Sequence, residues 1–259
     1  MKIGVFDSGI GGVTVLKEMR QVFPGADFAY FGDTANVPYG TKSAHQILAL
    51  SQSAANRLRA HRLDALIIAC NTASSLALPE FERILAPMPV VGVVTAGVES
   101  VRQRLPQPKG NTRPVVIFGT RATVNSHVYL RLLTASAPTL SVQEQACPLL
   151  VPMIEEGWVE HPILRTTLRE YTQPYAKLPP GVALLACTHY PWIRRAFEAE
   201  LPGWAIVDSA EAVALAARTR LGTPPASGTT GKLEWYFSDP EGVADFVFEG
   251  PRPAKLATF

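Results

Sequence analysis

Three cysteines punctuate the chain, and two of them stand in matching surroundings. Ala65-Leu66-Ile67-Ile68-Ala69-Cys70-Asn71-Thr72 and Ala183-Leu184-Leu185-Ala186-Cys187-Thr188-His189 each read as an apolar strand that ends in cysteine and then polar residues. Two thiols on opposite faces of one substrate carbon suit an inversion, in which one removes a proton and the other delivers a proton to the opposite face. Only the thiolate is a base, and a helix N-terminus or a neighbouring imidazolium lowers a thiol from its usual pKa of about 8.5. Both cysteines are expected to have such a setting. The same helix ends, with the hydroxyls of Thr72 and Thr188, would hold a carboxylate.

Other residues carry chemistry less specifically. Asp7 ends an apolar run at a glycine-rich turn, where it serves the chemistry, caps the helix expected near Gly11, or does both. His189 lies two residues past Cys187, on the same face of an extended segment, and can tune that thiol. Gly9, Gly11 and Gly12 allow close approach to an anion but lack the spacing of a dinucleotide fingerprint. Residues 38–41 read as a turn by composition, in which an exposed Tyr39 beside Gly40 can contact ligand. Cys147 reads as core filler, and Glu155 and Glu156 as a solvated loop after an apolar segment. His45, His61, His127 and His161 lack paired ligand spacing. Two further chemistries fit the residue types: a zinc hydrolase using Cys70, Cys187, His189 and Asp7, and a two-lobed protein that binds an acidic amino acid without reaction.

These residues need elements to position them. Short apolar runs at 3–6, 28–31, 65–69, 90–94, 115–118, 182–186 and 205–207 alternate with segments of helical period, which predicts an α/β fold with mostly parallel sheets. Ser43-Ala44-His45-Gln46 has the form of a capping box ahead of Ile47, Leu50 and Leu58, and a second helix starts at Ser209 and runs toward Leu221. Residues 106–114 and 223–231 are too rich in proline, glycine and polar residues for regular structure. Pro251 and Pro253 predict a loosely held tail over residues 250–259. An echo of the cysteine pair joins Ile3-Gly4-Val5-Phe6-Asp7-Ser8-Gly9 to Val115-Val116-Ile117-Phe118-Gly119-Thr120-Arg121. Two echoes in the same order predict two related halves whose strand ends face one cleft.

The chain has 259 residues, 47% of them hydrophobic and 18% charged, enough apolar material for two folded domains. Its 24 Lys and Arg against 22 Asp and Glu are scattered, so no basic stripe predicts nucleic-acid binding. No apolar run is long enough to span a membrane, and the N-terminal run stops at Asp7, unlike a signal peptide. A cytoplasmic protein with reduced thiols is expected.

The motifs in combination resemble one family, the glutamate racemases of the cofactor-independent aspartate/glutamate racemase superfamily. The likeness spans nearly the whole chain. It rests on Phe6-Asp7-Ser8-Gly9-Ile10-Gly11-Gly12, Tyr30-Phe31-Gly32-Asp33, Pro38-Tyr39-Gly40-Thr41-Lys42-Ser43, Ala69-Cys70-Asn71-Thr72-Ala73-Ser74 and Ala186-Cys187-Thr188-His189-Tyr190-Pro191. Gly119-Thr120-Arg121-Ala122-Thr123 and Val151-Pro152-Met153-Ile154-Glu155 are weaker but correctly placed. The resemblance implies interconversion of L- and D-glutamate without cofactor or metal, supplying D-glutamate to peptidoglycan and so to cell-wall biogenesis and cell shape. It implies Cys70 and Cys187 as the acid/base pair, with Asp7, His189 and Glu155 in support. Asp7, Ser8, Tyr39, Gly40, Asn71, Thr72, Thr188 and His189 would contact substrate. It also implies two pseudo-symmetric three-layer α/β domains, residues 1–97 plus 208–259 and residues 98–207, with the site in the cleft between them. A homodimer is the implied assembly, with no nucleic-acid or membrane partner.

Overall fold

The computed structural model describes residues 1–105, 113–222, 231–241, 243 and 257–259. The loops expected at 106–114 and 223–231 therefore lie almost wholly outside the described residues, as do residues 250–256 of the expected tail.

The first apolar runs form β1 (Lys2–Asp7), β2 (Asp27–Gly32), β3 (Ala65–Ile68) and β4 (Val90–Gly92). A second set forms β5 (Val115–Gly119), β6 (Val142–Ala146), β7 (Val182–Ala186) and β8 (Ala205–Asp208), and β9 (Leu233–Phe237) comes last. One sheet has the order β4-β3-β1-β2-β9 and the other β6-β5-β7-β8, and every pairing is parallel. Matching β1 with β5, β2 with β6, β3 with β7 and β4 with β8 superimposes the two orders. The internal echo is thus a repeat of topology, and β9 is the first sheet's addition.

Strands β3, β5 and β7, and β1 between its terminal Lys2 and Asp7, are apolar because helices cover both faces of each sheet. On one face of the first sheet lie α1 (Val13–Val22) and α10 (Ser209–Leu221), whose Val15, Met19, Val213 and Ala217 share a core with Ile3 and Val5. On the other lie α2 (Ala44–Leu58) and α3 (Asn71–Leu85), with Phe81 against Phe6 at a ring distance of 5.2 Å. Each fully buried side chain of this kind stabilises the fold by roughly 1.5–3 kcal/mol.

The second sheet is covered by α4 (Val93–Arg104) and α6 (Val128–Ser136) on one side. On the other lie α7 (Leu150–Glu155), α8 (Pro162–Thr172) and α9 (Arg194–Glu200), while the short α5 (Arg121–Ser126) follows β5. Helix α4 serves both cores: Val93 and Ala96 pack with the first sheet, Val94, Val98 and Val101 with the second. No helix among the described residues is long and apolar enough to cross a membrane.

Local signals fix several boundaries. Ser43 and Gln46 form the full capping box of α2, with Gln46 N donating to Ser43 Oγ at 3.3 Å and Ser43 N donating to Gln46 Oε1 at 3.1 Å. Asp208 caps α10 by accepting from the backbone of Ala210 and Glu211. The strand expected over 90–94 stops at Gly92, where the chain turns directly into α4. The half-polar edge strands β6 and β9 were not among the expected strands. The tail expected to be loose is docked at its end. Ala257 pairs with β9, and the Phe259 ring packs edge-on against Phe31 at 5.5 Å.

Candidate active site

The carboxyl ends of β1, β3, β5 and β7 open on one cavity. In a parallel sheet these ends turn free backbone N–H groups toward the crevice, so both halves present their donors to the same space. Cys70, just past β3, and Cys187, just past β7, both line it and are 4% and 5% exposed. The expected pair of thiols meets in one cleft.

Their surroundings differ. Cys70 is the N-cap of α3, its Sγ accepting from Ala73 N at 3.4 Å and donating to Ser8 Oγ at 3.5 Å. Burial, and then the charge of Asp7, push this thiol up to about 12, against the pull of Ser8 and of the Ala73 N–H. The lowering expected from a helix N-terminus is outweighed because burial leaves the thiolate too little solvation. Cys187 has no α-helix behind it. A turn runs from it into a 3-10 segment, Tyr190–Ile193, and His189 is helical in backbone rather than extended. His189 still reaches the thiol, with Nδ1 3.9 Å from Cys187 Sγ. Its Nε2 lies 2.9 Å from Glu155 Oε1. Burial disfavours the charged ring, but the hydrogen bonds to Cys187 and Glu155 prevail and raise its pKa to about 10. The ring is then an imidazolium at neutral pH and donates to both partners. Glu155 ends α7 and is held by this bond, in place of the solvated loop expected for it.

The other expected residues gather around the thiols, with one exception. Ser8, Tyr39, Gly40, Asn71, Thr72, Thr188, His189 and Glu155 line the cavity. Asp7 sits behind the wall, wholly buried, where its carboxylate accepts from Gly9 N at 3.0 Å and Thr188 Oγ1 at 3.4 Å. It is not the N-cap of α1, a place taken by Gly12. Burial raises its pKa, opposed by His189 and the N–H groups of Gly9 and Gly12. Tyr39 is 1% exposed instead of exposed, and its hydroxyl donates to Asp33 Oδ2 at 2.6 Å. It shapes the wall with its ring. Gly40 is required by proximity: a Cβ there would lie 2.6 Å from Thr120 Cβ in the other half.

Sequence reasoning passed over several wall residues. Thr120 and Arg121 line the cavity, and the echo of β1 in β5 could have found Thr120 because it occupies the place of Ser8. Thr72 Oγ1 lies 3.0 Å from Thr120 Oγ1 and 3.2 Å from Thr123 Oγ1, which joins the halves across the cleft. Cys147 belongs to the second core, as expected, yet also touches the cavity. Its thiol donates to Gln145 O at 3.6 Å, and burial holds it well above the ordinary range. The imagined zinc site does not assemble: no group of three or more His, Cys, Asp or Glu among the described residues is placed to hold a metal ion.

A family profile described as Asp/Glu/Hydantoin racemase matches residues 3–217. The chain is 42% identical to a glutamate racemase of Sulfurihydrogenibium sp. (strain YO3AOP1), covering 82% of this chain and 80% of that one. It is 39% identical to the glutamate racemase of Aquifex aeolicus (strain VF5), over 92% and 89% of the two chains. Its fold is similar to the crystal structure of glutamate racemase from Francisella tularensis subsp. tularensis SCHU S4 in complex with D-glutamate. The TM-score is 0.83 at 32% identity, with 92% of this chain and 88% of that chain covered.

Proposed function

Because the chain belongs to the Asp/Glu/hydantoin racemase family, we propose that it is a glutamate racemase, interconverting L- and D-glutamate by a two-thiol exchange at the α-carbon. The observation that carries this reading is the placement of Cys70 and Cys187, from equivalent strand ends of two repeated halves, on the wall of a single cavity.

One cysteine, as thiolate, takes the α-proton from one face, and the other, as thiol, gives its proton to the opposite face. The carbon is inverted, and the two sulfurs have exchanged protonation states, so the reverse turnover restores them. Each side has its own support. At Cys187, His189 moves or holds a proton at the sulfur, and Glu155 keeps the imidazole charged and oriented. At Cys70, Ser8 and the Ala73 N–H stabilise the thiolate, and Asp7 sets the charge behind the site. Burial, with the charge of Asp7, holds Cys70 too high for a base; the α-ammonium of bound substrate supplies the missing positive charge. Ser8, Asn71, Thr72, Thr188 and His189 offer polar groups to the carboxylates, while Tyr39 and Gly40 form the facing wall. Protein side chains both accept the α-proton and supply its replacement, so the scheme calls on no cofactor.

The proposal extends to the setting. The site lies between residues 1–97 plus 208–259 and residues 98–207, the protein works in the cytoplasm as a homodimer, and its D-glutamate enters peptidoglycan synthesis.

The test is incubation of purified protein with L- or D-glutamate in deuterated water without added cofactor, followed by circular dichroism and mass spectrometry. Loss of optical signal with deuterium appearing at the α-carbon is expected, and it persists with a chelator. Folded protein that binds glutamate but gives no wash-in would leave a binding protein in place of an enzyme.

A further inference from the structure

The residue after Cys70 is clasped from two directions by side chains that the scheme above does not use. Tyr129 Oη donates to Asn71 Oδ1 at 2.6 Å, and Asn71 Nδ2 donates to Ser209 Oγ at 3.1 Å. Tyr129 lies in the first turn of α6, on the second half, and Ser209 opens α10, where the chain comes back to the first. All three are buried, at 0%, 2% and 1% exposure. Burial, and then the nearby Cys187, push the Tyr129 phenol upward, so it remains a neutral donor. A paired and buried polar cluster is rigid, because breaking any member strands a buried group.

Asn71 is the first residue of α3, and Cys70 is that helix's N-cap. The turn that aims the Cys70 sulfur is therefore tied through the Asn71 amide to the half that carries Cys187. We propose that Tyr129, with Ser209, is a positioning residue that fixes the Cys70 thiol relative to the opposite thiol. This rests on the two-thiol reading. Neither hydroxyl touches the reacting atoms; each acts through Asn71. Misplacement of one reacting group by a fraction of an ångström slows its proton transfer and leaves the other group's geometry in place.

The test is Tyr129→Phe, assayed in both directions with α-protiated and α-deuterated glutamate. The expected result is a fall in kcat of about tenfold with KM changed by less than about threefold. The primary deuterium isotope effect should grow only in the direction in which Cys70 abstracts the proton. Cys70→Ser and Cys187→Ser, measured the same way, identify that direction. An unchanged kcat, or isotope effects that shift equally in the two directions, overturns the proposal, since a general loosening of the fold has no preferred face. If Tyr129→Phe does not fold, Ser209→Ala removes the other arm of the clasp and must show the same one-sided signature. Wild-type protein that does not racemise glutamate defeats the underlying reading as well, and does so before any variant is made.

Discussion

At the scale of single residues the site is an asymmetric pair. Cys187 has an imidazolium beside it, and Cys70 has a buried carboxylate behind it. Cys70→Ala and Cys187→Ala are each expected to lower racemisation by at least about 10²–10⁴-fold, the worth of a positioned acid or base, with far-UV circular dichroism unchanged. Cys147→Ala should leave turnover nearly intact; inactivation there would mean that the wrong thiols were paired. Asp7→Asn removes the charge that helps to raise the Cys70 thiol, so iodoacetamide should alkylate Cys70 faster in the variant than in the parent, by peptide mass mapping. His189 gives a pH dependence of stability. Its folded pKa of about 10 lies above the unfolded value of about 6.5. Its stabilising contribution is therefore complete below about pH 6.5 and is lost as pH rises through about 10. The excess stability of the parent over Glu155→Gln, from urea midpoints, should shrink across that window. A constant difference would show that the ring is not charged by this partner.

At the scale of elements the strand-to-helix turns do the positioning. The turn between β1 and α1 passes so close to the second half that a methyl on Gly11 would collide with Thr188 Oγ1 and His189 Nδ1. Thr14, one residue into α1, donates to Thr188 O at 2.9 Å and holds that approach. Gly11→Ala should thus displace His189 and cost about 10²-fold in kcat/KM, although residue 11 is not on the cavity wall. Turnover within twofold or so of the parent would show that the approach is slack. By contrast, the capping box of α2 lies away from the cavity. Ser43→Ala should cost about 1 kcal/mol by urea denaturation and leave kcat unaltered.

At the scale of the whole molecule, two similar sheets are bound into one cooperative body. Helix α4 contributes to a core on each side, and α10 packs against both α1 and α4. The chain crosses between the sheets twice, once through α4 and once after β8. Unfolding in urea should accordingly be a single transition in which tryptophan fluorescence and far-UV circular dichroism coincide. Trp235 reports on the first sheet, and Trp158, Trp192 and Trp204 on the second. Separate midpoints would show halves that unfold independently.

Much of this was legible in the order of residues. Buried parallel strands must be apolar throughout, so β1, β3, β5 and β7 were visible, and the polar residues that end them marked the site. The paired cysteines and the repeat of the halves followed from that pattern, and the capping box of α2 and the start of α10 at Ser209 were legible locally, whereas the Asp208 cap of α10 was not expected. Edge strands β6 and β9 were not legible, because a strand paired on one side tolerates polar residues and loses the apolar signature. Nor were the partnerships of Asp33 with Tyr39, of Glu155 with His189, or of Tyr129 and Ser209 with Asn71. Each joins residues from different turns or helices, at separations no periodicity encodes. Sequence determined which side chains stand at strand ends, because backbone geometry and burial act residue by residue. Tertiary structure alone decided their charge states and aim, because desolvation and hydrogen bonding depend on whatever the fold brings alongside.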